Sequence, residues 1–287
     1  MIARICTRWL ASIFLIATLT GCTTLHTTTV QTADGRHLVA KAGAGAPAVI
    51  FEAGAGDGLE TWEQVFPEVA KLTTAFAYSR RGYGVGTPVL THRDGATIVA
   101  ELRALLATEG LQPPYILVGH SLGGLYMQLF AKLYPAEVAG VVLVDSTSPD
   151  HMARMKDERP GNYALMQSVL TINALHTMSA EVRGITETSR QFHAAGPFPP
   201  CPMILLSAKR GTAIDGAGFV EFVQRMQAEV VAEWPGAEQR LVDSRHYIQR
   251  EKPDAVITAI REVLVRAQHA TPARTAGTRR TGGRRHG

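Results

Sequence analysis

A serine flanked by glycines is the strongest chemical signal in this sequence, in the run Gly119-His120-Ser121-Leu122-Gly123. An apolar run predicts a buried strand before it, and helical spacing predicts a helix from Leu122 to Leu133 after it. A sharp turn between such elements lifts a serine hydroxyl above a sheet edge, and glycines two positions to either side avoid collisions with neighbouring backbone. The start of the helix would face negative charge developing on a substrate. The pattern therefore predicts that Ser121 is a nucleophile.

Short apolar runs alternate with helical patterns along most of the chain. Strands are predicted at 48–52, 75–78, 115–118, 138–144, 203–207 and 240–242, and helices at 59–72, 95–107 (capped by Asp94), 122–133, 219–231 and 253–266. Strands that read as continuous apolar runs are typical of a sheet buried on both faces. We therefore predict an α/β fold with a mainly parallel, doubly wound sheet.

One long segment, 148–200, interrupts this alternation. It contains helical stretches such as 163–176 and ends in Pro197-Phe198-Pro199-Pro200. About fifty residues between two strands exceed the length of an ordinary loop. We predict a helical lid inserted into a core formed by residues 37–147 and 201–266.

The chain resembles the α/β-hydrolase superfamily over about residues 48–266. The segments that carry the resemblance are Phe51-Glu52-Ala53-Gly54-Ala55-Gly56, Tyr78-Ser79-Arg80-Arg81-Gly82-Tyr83-Gly84, the serine motif, Val142-Leu143-Val144-Asp145 and Arg245-His246-Tyr247. Ser79 and Gly86 depart from the pattern, because many relatives have Asp and Ser at these loop positions. The resemblance implies the superfamily's fold with a lid, and the chain order of nucleophile, acid and histidine.

A serine hydroxyl is a weak nucleophile until a base accepts its proton. The resemblance implies that His246 is the base, because it stands between the last predicted strand and the last predicted helix. Two carboxylates compete as the acid that orients this histidine. Asp145 ends the strand after the serine helix, whereas Asp215 follows the next strand at a greater distance than is usual. We favour Asp145, keep Asp215 as the alternative, and leave Asp243 or another carboxylate as a third option.

The oxyanion of an acyl-transfer reaction needs two hydrogen-bond donors. The resemblance implies the backbone N–H of Leu122, directly after the nucleophile, and that of Ala55 in the glycine-rich turn. Glu52 is a carboxylate at the end of a buried strand. A buried charge needs a partner, and Arg80 and Arg81 are the candidates.

Patterns for a metal or a cofactor are missing from the sequence. Neither His-x-x-x-His nor Cys-x-x-Cys occurs, and there is no Gly-x-x-x-x-Gly-Lys-Ser/Thr. Gly54-Ala55-Gly56 is too short a signal for a dinucleotide site. We predict no metal and no cofactor, and we interpret Cys201, isolated between two prolines, as a structural thiol.

The net charge of +4 at pH 7 comes from the two ends of the chain. Residues 1–21 carry two arginines and residues 266–287 carry six, with no acids in either segment. The body between them has 21 basic residues against 25 acidic ones. This charge balance gives no support for a nucleic-acid partner. Residues 267–287 are rich in Arg, Thr and Gly and are predicted to be a basic disordered tail.

The N-terminus resembles a bacterial lipoprotein signal. Arg4 and Arg8 lead into an apolar run of about eleven residues, which is too short to span a membrane. Leu19-Thr20-Gly21-Cys22 then resembles a lipobox. We predict a signal peptide at 1–21, a membrane-anchoring lipid on Cys22 and a tether at 22–36. Thr23, where an Asp would favour the inner membrane, indicates the outer membrane of the cell envelope, facing the periplasm.

These features predict a serine esterase that acts on a small acyl compound through an acyl-serine intermediate. The serine argues against relatives that need Asp at this position, such as dehalogenases and epoxide hydrolases. Cleavage of an amide, a lactone or a carbon–carbon bond is an alternative within the enzyme class. A non-catalytic, lipid-anchored binding protein is the alternative outside it, because one fold hosts many functions. No pattern predicts an oligomeric state.

Overall fold

The computed structural model describes residues 25–85, 87–91, 93–173, 175–212 and 215–270. The predicted signal peptide at 1–21, the predicted lipid on Cys22 and residues 271–287 of the predicted tail lie outside the described residues. Among the residues described, no helix is long and apolar enough to cross a membrane.

Eight strands of the described residues form one sheet. They are β1 (Thr28–Thr32), β2 (Gly35–Ala42), β3 (Ala48–Glu52), β4 (Ala75–Tyr78), β5 (Tyr115–His120), β6 (Val138–Val144), β7 (Met203–Ala208) and β8 (Glu238–Val242). Their order across the sheet is β1-β2-β4-β3-β5-β6-β7-β8. Strand β2 is antiparallel to both of its neighbours, and the pairs from β4 to β8 are all parallel. The predicted mainly parallel sheet is confirmed.

Helices cover both faces of this sheet and fill its connections. They are α1 (Phe66–Ala70), α2 (Gly95–Thr108), α3 (Leu122–Leu133), α4 (His151–Glu158), α5 (Pro160–Ile172), α6 (Thr177–Arg183), α7 (Ile185–Ala194), α8 (Phe219–Glu233), α9 (Ile248–Glu251) and α10 (Pro253–Ala270), with short 3₁₀ helices at Leu59–Trp62 and Pro135–Glu137. Asp94 caps α2 as predicted, because its side chain accepts a hydrogen bond from the N–H of Thr97 at 2.9 Å.

The central strand β5 shows how the two faces divide. Tyr115 and Leu117 point into a core that α2 and α3 cover, whereas Ile116 and Val118 point into a second core covered by α1 and α10. Successive side chains of a strand face opposite sides of the sheet. Because both sides are packed, every residue of β5 is buried, which explains why the strand reads as an uninterrupted apolar run.

Four helices, α4 to α7, lie between β6 and β7 in the segment predicted as a lid, and we call them the cap. Helix α7 packs against α2 and α3. The predicted helix at 163–176 is shorter at its C-terminus: α5 ends at Ile172, and α6 begins only at Thr177. Beyond the cap, Phe198 stacks on Trp234 at 4.0 Å between ring centroids, which fixes the return of the chain to the sheet.

Three further segments depart from the predictions by more than the exact ends of an element. The predicted helix at 59–72 is split, because Pro67 lacks an N–H and its ring collides with the carbonyl four residues back, so a new helix begins at Phe66. The predicted tether at 22–36 contains strand β1, whose Thr-rich run pairs with β2 along the sheet edge. The predicted disordered tail starts too early, since α10 continues to Ala270.

Leu117→Ala tests the double coverage of the sheet. Leu117 is fully buried, so we expect the substitution to lower the free energy of unfolding by about 2–5 kcal/mol through lost burial and a residual cavity. Urea denaturation measures this loss. The matched control is Leu241→Ala on edge strand β8, where the side chain is 56% exposed and the expected change is within about 0.5 kcal/mol. Equal effects of the two substitutions would contradict the described core.

Candidate active site

Ser121 occupies the turn between β5 and α3 in an unusual backbone conformation, with φ 52° and ψ −123°. Its N–H donates to the carbonyl of Val144 at 3.1 Å, and its own carbonyl accepts from Gly124 and Thr147, each at 3.0 Å. A positive φ at a non-glycine residue costs energy and persists only where surrounding contacts enforce it. Here three backbone hydrogen bonds hold the strained residue at the end of the sheet.

Glycine at position 119 makes this turn sterically feasible. A Cβ atom there would lie 2.7 Å from both the carbonyl oxygen of Gly123 and the Cα of Gly124, closer than side chains approach backbone. The crossing of strand and helix therefore excludes a side chain at this position. This is the steric reason for glycine that the sequence motif suggested.

Asp145 directly follows β6, the strand beside β5, and also has a positive φ, of 41°. It is only 8% exposed. Its Oδ1 accepts hydrogen bonds from the N–H of Ala208 and from Nε2 of Gln227, each at 3.1 Å, and its Oδ2 faces Nδ1 of His246 at 2.7 Å. Burial by itself raises the pKa of Asp145, but the His246 hydrogen bond and charge and these two donors outweigh it and bring the pKa below its ordinary value. The carboxylate is ionised at neutral pH.

His246 lies in the connection between β8 and α9. Removal from water disfavours its charged form, but the hydrogen bond and the charge of Asp145 outweigh this, so its pKa lies above the ordinary value. The side chain keeps 45% exposure. Because Asp145 holds Nδ1, Nε2 is the ring nitrogen left to take a proton, and His246 lines the same cavity as Ser121.

His120 braces the loop that carries His246. Its buried ring lies 4.6 Å from the His246 ring, and its Nε2 is 3.1 Å from the backbone carbonyl of His246. Burial holds the pKa of His120 well below its ordinary value, so the ring is neutral and its Nε2–H donates to that carbonyl. This geometry agrees with the interpretation of His120 as a packing and bracing residue.

The two predicted oxyanion donors belong to residues that line the same cavity. Leu122 begins α3 directly after Ser121, and Ala55 follows the end of β3. The turn before Ala55 passes close to the nucleophile, since a Cβ atom at Gly54 would lie 3.2 Å from the Cβ of Ser121. The structure thus places both segments at the cavity that Ser121 lines.

Asp215, the alternative acid, is engaged elsewhere. Its Oδ2 accepts from the N–H of Thr212 and from its Oγ1, the latter at 2.8 Å. Asp243 pairs with Arg210 at 3.1 Å. Within the described part of the chain, Asp145 is the carboxylate that accepts the hydrogen bond from His246 Nδ1, so the structure does not support Asp215 or Asp243 as the acid.

The cavity in front of Ser121 has a volume of about 680 Å³. Its walls include apolar side chains from the cap and from α8, namely Met152, Met166, Val182, Ile185, Phe219, Val220 and Val223. His151, at the start of α4, is a cavity residue that the sequence analysis missed, because no motif surrounds it. Burial, with a smaller effect of the nearby His246 charge, lowers the pKa of His151 to about 4, so its ring is neutral.

The other side chains considered in the sequence analysis, Cys201 and Glu52, show no sign of acting as a nucleophile or a base. Cys201 is a buried free thiol, and burial raises its pKa to about 12, which suppresses the reactive thiolate. Among the described residues, no three His, Cys, Asp or Glu side chains are grouped so as to hold a metal ion. Glu52 forms a buried ion pair with Arg80 at 2.6 Å, so of the two predicted partners the structure selects Arg80.

Comparisons with known proteins identify the fold. A family model described as the alpha/beta hydrolase fold matches residues 47–170. The protein YqjL of Bacillus subtilis is 31% identical over 114 residues, which are 40% of this chain and 45% of that protein. The chain spans less than half the length of the first curated relatives it matches.

Solved structures match most of the chain at low identity. An epoxide hydrolase from an endophytic Streptomyces has a TM-score of 0.66 and 17% identity, covering 85% of this chain and 96% of that one. A thermophilic esterase from Thermogutta terrifontis has a TM-score of 0.57 and 19% identity, covering 84% and 99%. Likeness at this level of identity establishes the fold alone. It does not establish the activity, because one fold hosts many activities.

Titration of His246 tests the electrostatics of the site. By NMR, its imidazole should titrate above the ordinary value of 6.5, because Asp145 stabilises the charged form. Asp145→Asn removes that negative charge and should lower the pKa of His246. Asp215→Asn is the matched control, since Asp215 acts on His246 only through space and more weakly. A larger drop in Asp215→Asn than in Asp145→Asn would contradict the assignment.

Proposed function

We propose that this chain, which has the α/β-hydrolase fold, is a serine hydrolase that cleaves carboxylic esters of small molecules through an acyl-serine intermediate. The observation that carries the proposal is the 2.7 Å contact between Asp145 and His246 beside a cavity that Ser121 also lines. An ionised, buried carboxylate behind an imidazole is the arrangement that turns a neighbouring hydroxyl into a nucleophile.

In the proposed acylation, His246 Nε2 accepts the proton of Ser121 Oγ as the oxygen attacks the ester carbonyl carbon. Asp145 holds the ring in the tautomer that keeps Nε2 free, and it stabilises the imidazolium that forms. His246 then gives the proton to the departing alcohol. In the second half, His246 takes a proton from water, water attacks the acyl-serine, and the same proton returns to Ser121 as the carboxylic acid leaves.

Negative charge develops on the carbonyl oxygen in both halves of this reaction. We assign its stabilisation to the backbone N–H groups of Leu122 and Ala55. The Leu122 donor stands at the start of α3, where the aligned peptide dipoles also favour negative charge. Loss of one such donor typically raises the barrier by about 3–4 kcal/mol.

The cavity favours a substrate with an apolar acyl or alcohol portion. Its wall is largely hydrocarbon, with His151 as a neutral hydrogen-bonding group in the cap. A small number of polar groups in an apolar pocket orients a ligand. We therefore infer that an ester with one apolar arm and one hydrogen-bonding group fits this cavity, with the charged lining residues Arg210, Arg245 and Arg250 beside it. Amides, lactones and carbon–carbon bonds remain as alternative substrates, and a non-catalytic binding protein remains as the alternative class.

Ser121→Ala tests the proposed nucleophile. We expect p-nitrophenyl butyrate turnover to fall by about 10⁶-fold, because the nucleophile and its base act as one unit. Turnover is followed by absorbance, and circular dichroism checks that the variant is folded. The control is Ser168→Ala, an exposed serine on α5. Retained turnover in folded Ser121→Ala would remove the acyl-serine mechanism, and absent turnover in the parent enzyme with no labelling by a fluorophosphonate would favour the binding protein.

We also propose that a lipid on Cys22 anchors the protein to the outer membrane, with the folded body in the periplasm. The support is the signal-like sequence, together with the position of Leu25, which packs against the core beneath α1 and α10. Only Thr23 and Thr24 separate the proposed lipid from the folded body. A lipid at this position would hold the body close to the membrane surface.

Cys22→Ser tests the anchor. Cells supplied with an alkyne-tagged palmitate should label the parent protein, and the variant should lose the label because the acceptor thiol is gone. The variant should also shift from the membrane fraction. Cys201→Ser serves as the control and should keep both label and location. Unchanged labelling of Cys22→Ser would refute the anchor without bearing on the activity.

A further inference from the structure

Three charged side chains are almost completely buried behind the turn that carries Ala55. Glu52 and Arg80 belong to the core, whereas Glu181 belongs to α6 of the cap. Each of the three side chains is at most 1% exposed. Such groups are costly to desolvate, and they are tolerated only when their hydrogen bonds are satisfied. The acyl-transfer chemistry described above uses none of them directly.

The guanidinium of Arg80 uses all five of its N–H groups. Nη1 donates to Glu52 Oε1 and to the carbonyl of Ala53, both at 2.6 Å. Nη2 donates to the carbonyl of Gly54 and to Glu181 Oε2, both at 2.8 Å, and Nε donates to Glu181 Oε1 at 2.9 Å. A planar guanidinium that donates to both oxygens of one carboxylate has a fixed orientation. Glu181 therefore sets the direction in which Arg80 meets the carbonyls of the turn.

The Gly54 carbonyl belongs to the peptide that contains the N–H of Ala55. In a trans peptide the C=O and N–H point in opposite directions. When Arg80 holds the carbonyl on the buried side, the Ala55 N–H must point away from Arg80. Ala55 lines the cavity beside Ser121. The 2.8 Å contact between Arg80 and Gly54 thus restrains the orientation of the proposed second oxyanion donor, and the Asp57 N–H supplies a longer contact of 3.4 Å to the same carbonyl.

A second contact from the same carboxylate holds the far side of the turn. The Tyr83 hydroxyl donates to Glu181 Oε2 at 2.9 Å and accepts the N–H of Gly56 at 3.2 Å. The residues before and after Ala55 are therefore both connected to Glu181, one through Arg80 and the other through Tyr83. The connection runs from a cap helix to the core, so it exists only while the cap is docked.

We propose that Glu181 is a positioning residue that makes the oxyanion hole depend on the docked cap. The proposal rests on the proposed function and adds a residue and a coupling to it. With α6 docked, Arg80 and Tyr83 fix the peptide that presents the Ala55 N–H. When α6 moves away, Arg80 loses two acceptors and Tyr83 loses one, so the turn is held less firmly, by the remaining contacts of Arg80 with Glu52 and the turn carbonyls. The enzyme then binds the ester but stabilises the transition state poorly.

Glu181→Gln and Tyr83→Phe test the coupling. Tyr83→Phe removes one hydroxyl and leaves the buried ion pairs in place, so it stays informative where Glu181→Gln fails to fold. We expect kcat for p-nitrophenyl butyrate to fall by about 100-fold in Glu181→Gln, at the lower end of the range for loss of one oxyanion donor, and by about 10-fold in Tyr83→Phe, which keeps the Arg80 contacts. KM should change by less than about 3-fold, because the contacts act on the transition state rather than on bound substrate.

Two further measurements separate positioning from simple stability. A trifluoromethyl ketone adds to the serine and leaves an oxyanion in the hole, so its affinity should fall by the same factor as kcat. The pH at which kcat/KM is half-maximal should stay constant, since Asp145 and His246 are untouched. The matched controls are Glu187→Gln, which loses an exposed pair with Arg190 on α7, and Tyr163→Phe on α5. Neither should change kcat.

Amide hydrogen exchange gives a readout that does not depend on activity. Exchange of Gly56 and its neighbours should accelerate in Tyr83→Phe, while exchange of the core strands stays constant. Unchanged exchange at the turn, or unchanged kcat and ketone affinity in a folded variant, would overturn the coupling. A rise in KM alone would overturn it too. Failure of the proposed function has a different signature: the parent protein would neither hydrolyse the ester nor react with a fluorophosphonate.

Discussion

The hydrogen bond between Asp145 and His246 is the interaction on which the site depends, because it joins two loops that are 101 residues apart in the chain. The sheet makes this meeting possible. Strands β5 and β6 are adjacent and parallel, so Ser121 and Asp145 emerge together at one edge. Both residues have a positive φ, and both donate their N–H to the neighbouring strand. Strained strand ends that the ladder holds in place are a way of fixing side chains before a substrate arrives.

The cap both lines the cavity and supplies Glu181, a side chain that contacts the core behind the site. Its apolar residues line the cavity, and a substrate bound against them would be shielded from water, which strengthens electrostatic interactions around the reacting atoms. Its Glu181 reaches behind the site and meets Arg80, so that Glu52 and Glu181 share a buried space with Arg80 and, on the far side of Glu181, with the buried Arg93. Such a network is weak evidence for added stability, because desolvation opposes the attraction. The network is better explained by orientation, since all five Arg80 donors have defined acceptors.

Local sequence patterns predicted the fold well. They did not predict which residues far apart in the chain contact each other. Four elements have the bounds predicted from the sequence: the strands at 48–52, 75–78 and 138–144 and the helix from Leu122 to Leu133. Burial on both faces gives the strands continuous apolar runs, and the turn before the helix requires glycines, so both features can be recognised in the local sequence. Pro67 is itself a local signal for the helix break before α1, because proline is disfavoured inside a helix and tolerated in its first turn. Strand β1 was missed because an edge strand carries no continuous apolar run.

The choice between Asp145 and Asp215 could not be made from chain order, since both follow strands that end at the same edge. The three-dimensional path of the loops that follow β6 and β7 determines which carboxylate contacts His246. Glu181 and His151 lie in the cap, in a segment without motifs, and their roles arise from contacts with residues far away in the chain. Such roles follow from packing and charge in three dimensions, not from spacing.

The most direct test of the account is a crystal structure of the protein after reaction with a fluorophosphonate, whose adduct mimics the tetrahedral intermediate. We predict phosphorus bonded to Ser121 Oγ and a phosphoryl oxygen about 2.7–3.1 Å from the backbone nitrogens of both Leu122 and Ala55, the distances expected for oxyanion donors. His246 should remain hydrogen-bonded to Asp145. An adduct on another residue, or a phosphoryl oxygen turned away from both nitrogens, would contradict the account.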